Sequence, residues 1–251
     1  MSMEKINYKL VTQSSLIVSP RASKGFYQTL EEFSPEQITL DTDYLKKSKL
    51  KVIYPFYQYG EYKEYSPEAT EYYLPGSSIK GALCRGGSAD FMADDVPVYN
   101  YCIVLRNLYK AQYLKSEQKT AFFDVFFENV GVEMLKYNVE LTGELYFKDR
   151  AAAEAVLREA NESTRVRQNQ MLAYLRELKE GKYENELLHD INKAFEKLSS
   201  LQDSNDLFLL GGYKGLLHSM KIDTSREEIA GAVFLDRETM LPHGLVKIEL
   251  I

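Results

Sequence analysis

"YYLPGSSIKGALCRG", Tyr72 to Gly86, joins a proline turn to two serines, a lysine, a glycine and an apolar run. Pro75-Gly76 is a turn signal. Ser77 or Ser78 can then cap a helix, because a serine oxygen accepts from an exposed first-turn amide. The stretch predicts a short helix with a glycine-rich exit. A nucleotide-binding P-loop needs glycine, lysine, then serine or threonine, with the hydroxyl on magnesium. Here Lys80 precedes Gly81 and Ala82, so an NTPase is excluded. Two readings stay open. One is a capped helix with a solvated lysine. In the other, helix-end amides, the Ser77 and Ser78 hydroxyls and Lys80 hold one phosphate of a polymer.

Upstream, "INYKLVTQSSLIVS" (Ile6 to Ser19) places Ile6, Tyr8 and Leu10 at alternate positions and reads as a strand with a break near Gln13 to Ser15. Residues 21–73 read as a loop-rich excursion containing strand-like "LKVIYPFYQY". Downstream, "VPVYNYCIVLRNLY" reads as one strand and "AFFDVFFENVGVEMLKYNVELTGELYF" as one or two long ones. After Asp149, a plausible cap, the chain turns rich in Ala, Leu, Glu and Arg and reads as helix, with residues 149–182 an inserted element. A second helix, "ENELLHDINKAFEKLSSL", sets Leu187, Leu188, Ile191, Ala194, Phe195 and Leu198 on one face. "GAVFLD" and "GLVKIELI" are terminal strands. The order is strand, helix, strand, long strand, helix, strand. It predicts an α+β fold: a modified ferredoxin-like (RRM-like) domain over residues 1–251, with helical and loop insertions and a C-terminal glycine-rich loop.

That loop, "LLGGYKGLLHS", follows a helix and is not G-x-G-x-x-G, which argues against a dinucleotide site. Gly211, Gly212 and Gly215 permit close backbone approach. Tyr213 can stack on a base, Lys214 can pair with phosphate and His218 can donate a hydrogen bond. An RNA strand crossing a ferredoxin-like surface would meet both glycine-bearing loops.

The 251 residues carry a net charge of -6, unlike many nucleic-acid binders, but the charge is uneven. "EYKEYSPEATEYY" is acidic and expected to face solvent or a basic partner. "KKSKLK" and "STRVRQNQ" are basic, and a local basic face can bind phosphate. Cys84 and Cys102 form no C-x-x-C pair and fit a reducing cytoplasm. No apolar stretch is long enough for a bilayer, and the opening "MSMEKINYK" lacks a secretion signature. His189, His218 and His243 have no metal-ligand spacing, and neither metal nor cofactor is expected.

"YLPGSSIKGAL" resembles the proline-glycine-serine-serine-x-lysine-glycine element of the RAMP superfamily of CRISPR-associated proteins. "LGGYKGLL" is similar to their C-terminal glycine-rich loop, "KLVTQSSLIVSP" resembles their opening strand, and "LPHGLVKIEL" looks like the closing strand of Csm-type members. The resemblance implies a noncatalytic subunit of a type III effector complex. Such a subunit binds CRISPR RNA beside other effector-complex subunits. The RNA-contacting residues would be Gly76, Ser77, Ser78, Lys80, Arg85 and Gly211, Gly212, Tyr213, Lys214 and Gly215. Related members process precursor RNA as metal-independent endoribonucleases, a role for which His218 is the candidate here. Where many backbone subunits carry arginine directly after "KGAL", this chain has Cys84 and then Arg85. Subunits that cut target RNA use an aspartate in the first variable loop. Asp41 and Asp43 lie in that region, with no flanking pattern that makes either equivalent.

Overall fold

The computed structural model describes residues 3–20, 22–39, 45–84, 90–113, 121–180, 185–211 and 232–251. The chain opens with strand β1 (Glu4–Thr12), whose alternation buries Ile6, Tyr8 and Leu10 and turns Lys5, Asn7 and Lys9 outward. The excursion that follows holds β2 (Phe26–Tyr27), β3 (Val52–Tyr54) and β4 (Tyr72–Leu74), and helix α1 (Gly76–Leu83) comes next. Seven strands precede the next helix: β5 (Met92–Ala93), β6 (Val96–Val98), β7 (Ile103–Arg106), β8 (Leu108–Tyr113), β9 (Ala121–Phe126), β10 (Val130–Leu135) and β11 (Glu140–Phe147). Helices α2 (Arg150–Lys179) and α3 (Asn185–Ser199) lead to β12 (Leu207–Leu209), β13 (Ala232–Leu235) and β14 (Leu245–Leu250).

The main sheet has the order β12-β14-β1-β11-β5, with every neighbouring pair antiparallel. Within it, β14-β1-β11-β5 has the strand order and directions of a ferredoxin-like sheet. In chain order α1 connects β1 to β5, and α2 lies between β11 and β14. Strand β12 adds an outer edge. The expected α+β fold is therefore present. One face of this sheet meets α1 and the first half of α2. Ile6, Tyr8, Leu10, Leu145, Phe147, Val246 and Ile248 share a core with Ile79, Leu83, Ala153 and Ala160. Opposite Tyr8 in the ladder stands Gly143, and a Cβ there would collide with the Tyr8 ring and hydroxyl. A glycine in a central strand is thus the space that a fully buried tyrosine requires.

The second half of α2 packs with α3 over a second core built from Leu172, Leu175, Leu178, Ile191, Ala194 and Leu198 together with Val233 and Leu235. Asp149 caps α2 as expected, its carboxylate accepting from the Ala152 amide at 2.8 Å.

Two strand readings are corrected. "VPVYNYCIVLRNLY" is three strands. A single 3-10 turn over Asn100–Cys102 separates β6 from β7, held by the Cys102 amide on the Tyr99 carbonyl at 2.9 Å. Asn107 separates β7 from β8 and is buried there, its amide donating to the Val130 carbonyl at 2.8 Å. "AFFDVFFENVGVEMLKYNVELTGELYF" is also three strands, β9 to β11. Phe127 and Asn138 stand at the two connections with φ 61 and φ 57. Strand β10 leaves the β8-β9 pair to join β3 and β7.

Glu133 on β10 is fully buried and ties this second sheet to the segments beside it. It accepts from the Phe56 amide at 2.9 Å and the Tyr72 hydroxyl at 2.7 Å. Burial outweighs those two bonds and pushes its carboxyl up to about 7 from 4.5. Between those values the folded chain keeps a proton that the unfolded chain has released. This group's contribution to stability is therefore lost as pH rises from 4.5 through about 7. The buried His243 imidazole acts oppositely. Burial holds its pKa below 6.5, so its contribution is lost as pH falls below that value. Glu133→Gln can keep both contacts, its oxygen facing the Phe56 amide and its nitrogen donating to Tyr72. Urea unfolding at pH 4.5 and pH 8 should show the variant gaining about 3 kcal/mol relative to wild type across that interval. An unchanged difference would mean that Glu133 does not hold a proton in the fold.

Candidate functional site

At the start of α1 the N-cap is Pro75 (φ -64, ψ 134), with no side-chain capping bond. Ser77 and Ser78 lie inside the first turn, so neither is the cap that the sequence suggested. The cap function comes from a distance: the Gly76 amide donates to Asp95 Oδ1 at 2.7 Å. This is possible because β5 passes directly over the helix start. A Cβ on Gly76 would collide with the Ala93 carbonyl, so the position requires glycine. Asp94-Asp95 after a short apolar run was the only sequence signal of this partner.

Lys80 points back toward the core. Its ammonium donates to the Phe91 carbonyl at 2.6 Å and lies 5.3 Å from the Phe91 ring centroid. Phe91 in turn stacks on Phe147 at 4.4 Å. In this structure Lys80 fastens α1 to the main core. The groups left facing outward are the exposed Ser77, the half-buried Ser78 and Gly81. Neither serine hydroxyl has a hydrogen-bond partner among the described residues. Gly81 has ordinary helical φ and nothing within 4 Å of a Cβ placed on it. Arg85 lies outside the described residues.

The second glycine-bearing loop starts at Gly211, one residue past β12, so it follows a short strand and not the helix that the sequence suggested. Gly211 is left-handed (φ 63), and a Cβ there would collide with the Ile17 carbonyl. The Leu210 amide donates to the Gly244 carbonyl at 2.8 Å, which fixes the departure point. Leu210 and Val18 share the main core with Ile79 and Leu83 of α1, so both loops spring from elements packed on one core. Gly212, Tyr213, Lys214, Gly215 and His218 lie outside the described residues, as do Asp41 and Asp43.

The outward face of the central strands is laced with ion pairs. Lys5 meets Glu144 and Lys9 meets Glu140, each at 2.5 Å. The Tyr146 hydroxyl donates between Asp94 and Glu144 at 2.9 Å each, and those carboxylates push its pKa upward. These lysines are already neutralised, so the face offers no strongly basic platform. The acidic segment behaves as expected, with Glu61, Glu64, Glu68 and Glu71 exposed while Tyr65 and Tyr72 turn inward.

Among the histidines, His189 is exposed on α3. His243 is buried, with Nδ1 2.9 Å from Ser15 Oγ, and the Ser15 amide donates to Asp236 at 2.8 Å. This serine, histidine and aspartate form a sealed seam, and Asp236 bonds the backbone instead of orienting the imidazole. The arrangement lacks the relay order and the access that a nucleophile needs.

No protein-family model matches the chain, and no curated protein matches it. Its fold is similar to that of a chain in a cryo-EM structure of a Csm–crRNA–target RNA ternary complex from a type III-A CRISPR-Cas system. The TM-score is 0.56 at 10% identity, covering 97% of this chain and 100% of that one.

Proposed function

We infer that this protein is a noncatalytic RNA-binding subunit of a type III CRISPR ribonucleoprotein effector complex, a cytoplasmic assembly in antiviral defence. The observation that carries the reading is the end-to-end fold likeness to a chain taken from a CRISPR RNA complex. The "YLPGSSIKGAL" and "LGGYKG" elements, in their proper order, add to it. On this reading residues 1–251 form one domain, with 21–73 and 149–182 as insertions. RNA runs along the outer side of α1 and the loop after Gly211. Ser77, Ser78 and Arg85 contact phosphate, Tyr213 stacks and Lys214 pairs with the backbone. Gly212 and Gly215 let the strand approach. Gly76, Lys80 and Gly211 hold the two loops in shape. The processing alternative rests on His218 alone, because His189 stands on a helix surface and His243 is sealed.

Gly81 gives the reading its physical support. A mid-helix glycine costs about 1 kcal/mol relative to alanine. The fold has no steric need for it. A bare backbone there suits close approach by a ligand strand. Gly76→Ala and Gly81→Ala should therefore separate folding from binding. Chemical denaturation should show Gly76→Ala destabilised by about 1–3 kcal/mol, the usual range for overpacking. Gly81→Ala should gain about 0.5–1 kcal/mol yet weaken RNA binding in the assembled complex. Unchanged RNA affinity for Gly81→Ala would remove the helix from the RNA path.

The direct test is to purify the chain with the products of its neighbouring genes and to sequence any RNA that accompanies it. Repeat-derived RNA sharing a common end is the expected result. An intact complex free of RNA would overturn the assignment. Site-specific cutting of repeat RNA by the pure chain, abolished by His218→Ala, would replace it with the processing reading.

A further inference from the structure

The 3-10 turn that interrupts "VPVYNYCIV" has a consequence at the surface. It turns Tyr99 and Tyr101 outward, 72% and 67% exposed, with rings 5.3 Å apart and inclined by only 11°. They line a groove of about 540 Å³ that runs between this turn and the β10-β11 connection. The opposite wall carries Lys136, Tyr137, Asn138 and Thr142. Tyr137 is 44% exposed. Among the described residues the Lys136 ammonium has no carboxylate within ion-pair distance, and the Asn138 amide and Thr142 hydroxyl have no hydrogen-bond partner. The groove's one carboxylate, Glu140, is neutralised by Lys9 at 2.5 Å.

Exposed parallel rings, an unpaired cation, and free amide and hydroxyl groups are the set that a single-stranded nucleotide uses. The base stacks, the phosphate meets the cation, and the base edge finds polar partners. A basic protein segment would instead find the groove's only acid occupied and a free lysine beside it. We propose that the Tyr99–Tyr101–Lys136 groove is a nucleotide-binding subsite that takes an unpaired base and its phosphate from single-stranded RNA. Tyr99 and Tyr101 supply the stacking surface, Lys136 the phosphate contact, and Asn138 and Thr142 the polar edge. The subsite shares no residue with the glycine-bearing stretches, and it rests on the RNA-binding reading for the identity of the polymer.

The test uses the full chain, alone and in its assembled complex, with short single-stranded oligouridylate carrying 4-thiouridine. Photocrosslinks should map to peptides containing Tyr99, Tyr101 or Tyr137. Replacing both Tyr99 and Tyr101 with alanine should weaken oligouridylate binding roughly 5- to 150-fold, the loss of one stacked base. Phenylalanine at both positions should retain binding. Lys136→Ala should lower the magnitude of the log-affinity against log-salt slope by about 0.7. Tyr99 and Tyr101 are exposed and Lys136 is half-buried, and circular dichroism should confirm unchanged folding. Unaltered affinity with no crosslink in the groove overturns the subsite, even where copurified RNA upholds the wider reading. If the alanine pair leaves RNA binding intact but releases the chain from its neighbours, the groove is a protein contact and the subsite is wrong. Tyrosine-dependent oligouridylate binding by a chain whose complex carries no CRISPR RNA would uphold the subsite and overturn the effector assignment.

Discussion

The segment from Thr12 to Val18 holds the molecule together. Strand β1 is paired on both sides, with β11 and β14, and at Thr12 it must leave the main sheet without stranding its polar groups. Thr12 Oγ1 donates to the Lys136 carbonyl and accepts from the Val139 amide, both at 2.8 Å. Ser14 Oγ donates to the Pro242 carbonyl at 2.6 Å and accepts from the Leu245 amide at 3.0 Å. Leu16 exchanges both backbone bonds with Leu135, so the chain has crossed to the second sheet within four residues. Ile17 then supplies the carbonyl against which Gly211 must be glycine. Buried backbone groups have to be paired, and this crossing pairs them with the β10-β11 connection and the turn before β14. Two of the surfaces proposed to meet RNA, the loop after Gly211 and the groove beside Lys136, are anchored to this one crossing.

What the sequence reveals and what it hides divides along the range of the interactions. The alternation of Ile6, Tyr8 and Leu10 and the apolar spacing of α3 are local periodicities, and both elements form where they predict. The Asp149 cap acts over three residues and is equally legible. The break at Gln13 to Ser15 could be seen, because serines compete for local backbone bonds. Its role in joining two sheets could not, since the partners stand more than 120 residues away. The same limit explains the α1 cap. Two serines in the right place are a sound local signal, but Asp95 arrives through β5 and takes the Gly76 amide first. Tyr99 to Cys102 carries strand-forming residues, yet it forms a 3-10 turn. Its Asn100 side chain donates to the distant Glu68 carbonyl at 2.9 Å.

Charge sets a matching constraint on function. A chain with net charge -6 cannot attract a polyanion through its overall field. Its acidic excursion faces solvent, and its central strand lysines are spent on neighbouring carboxylates. Surface pairs of this kind add little stability, but they remove cations from a binding face. On the proposed reading, polyanion contact comes from places where a cation stands alone or where neutral donors are left free. Among the described residues, Lys136 with its tyrosines and Ser77 with Ser78 meet that condition.

Within "PGSSIKGAL" the two demands fall on different residues. Pro75, Gly76 and Lys80 answer to the fold: a fixed turn, a backbone contact with β5, and an ammonium spent on Phe91. Ser77, Ser78 and Gly81 answer to nothing else described in the chain, although a glycine there weakens the helix. A motif serving the fold alone would place alanine at position 81. One serving binding alone would leave the lysine unbonded. On the proposed reading the stretch does both, because a helix start so tightly seated by three residues can present the others in a fixed array. Rigid presentation limits the ordering cost when a flexible strand is bound.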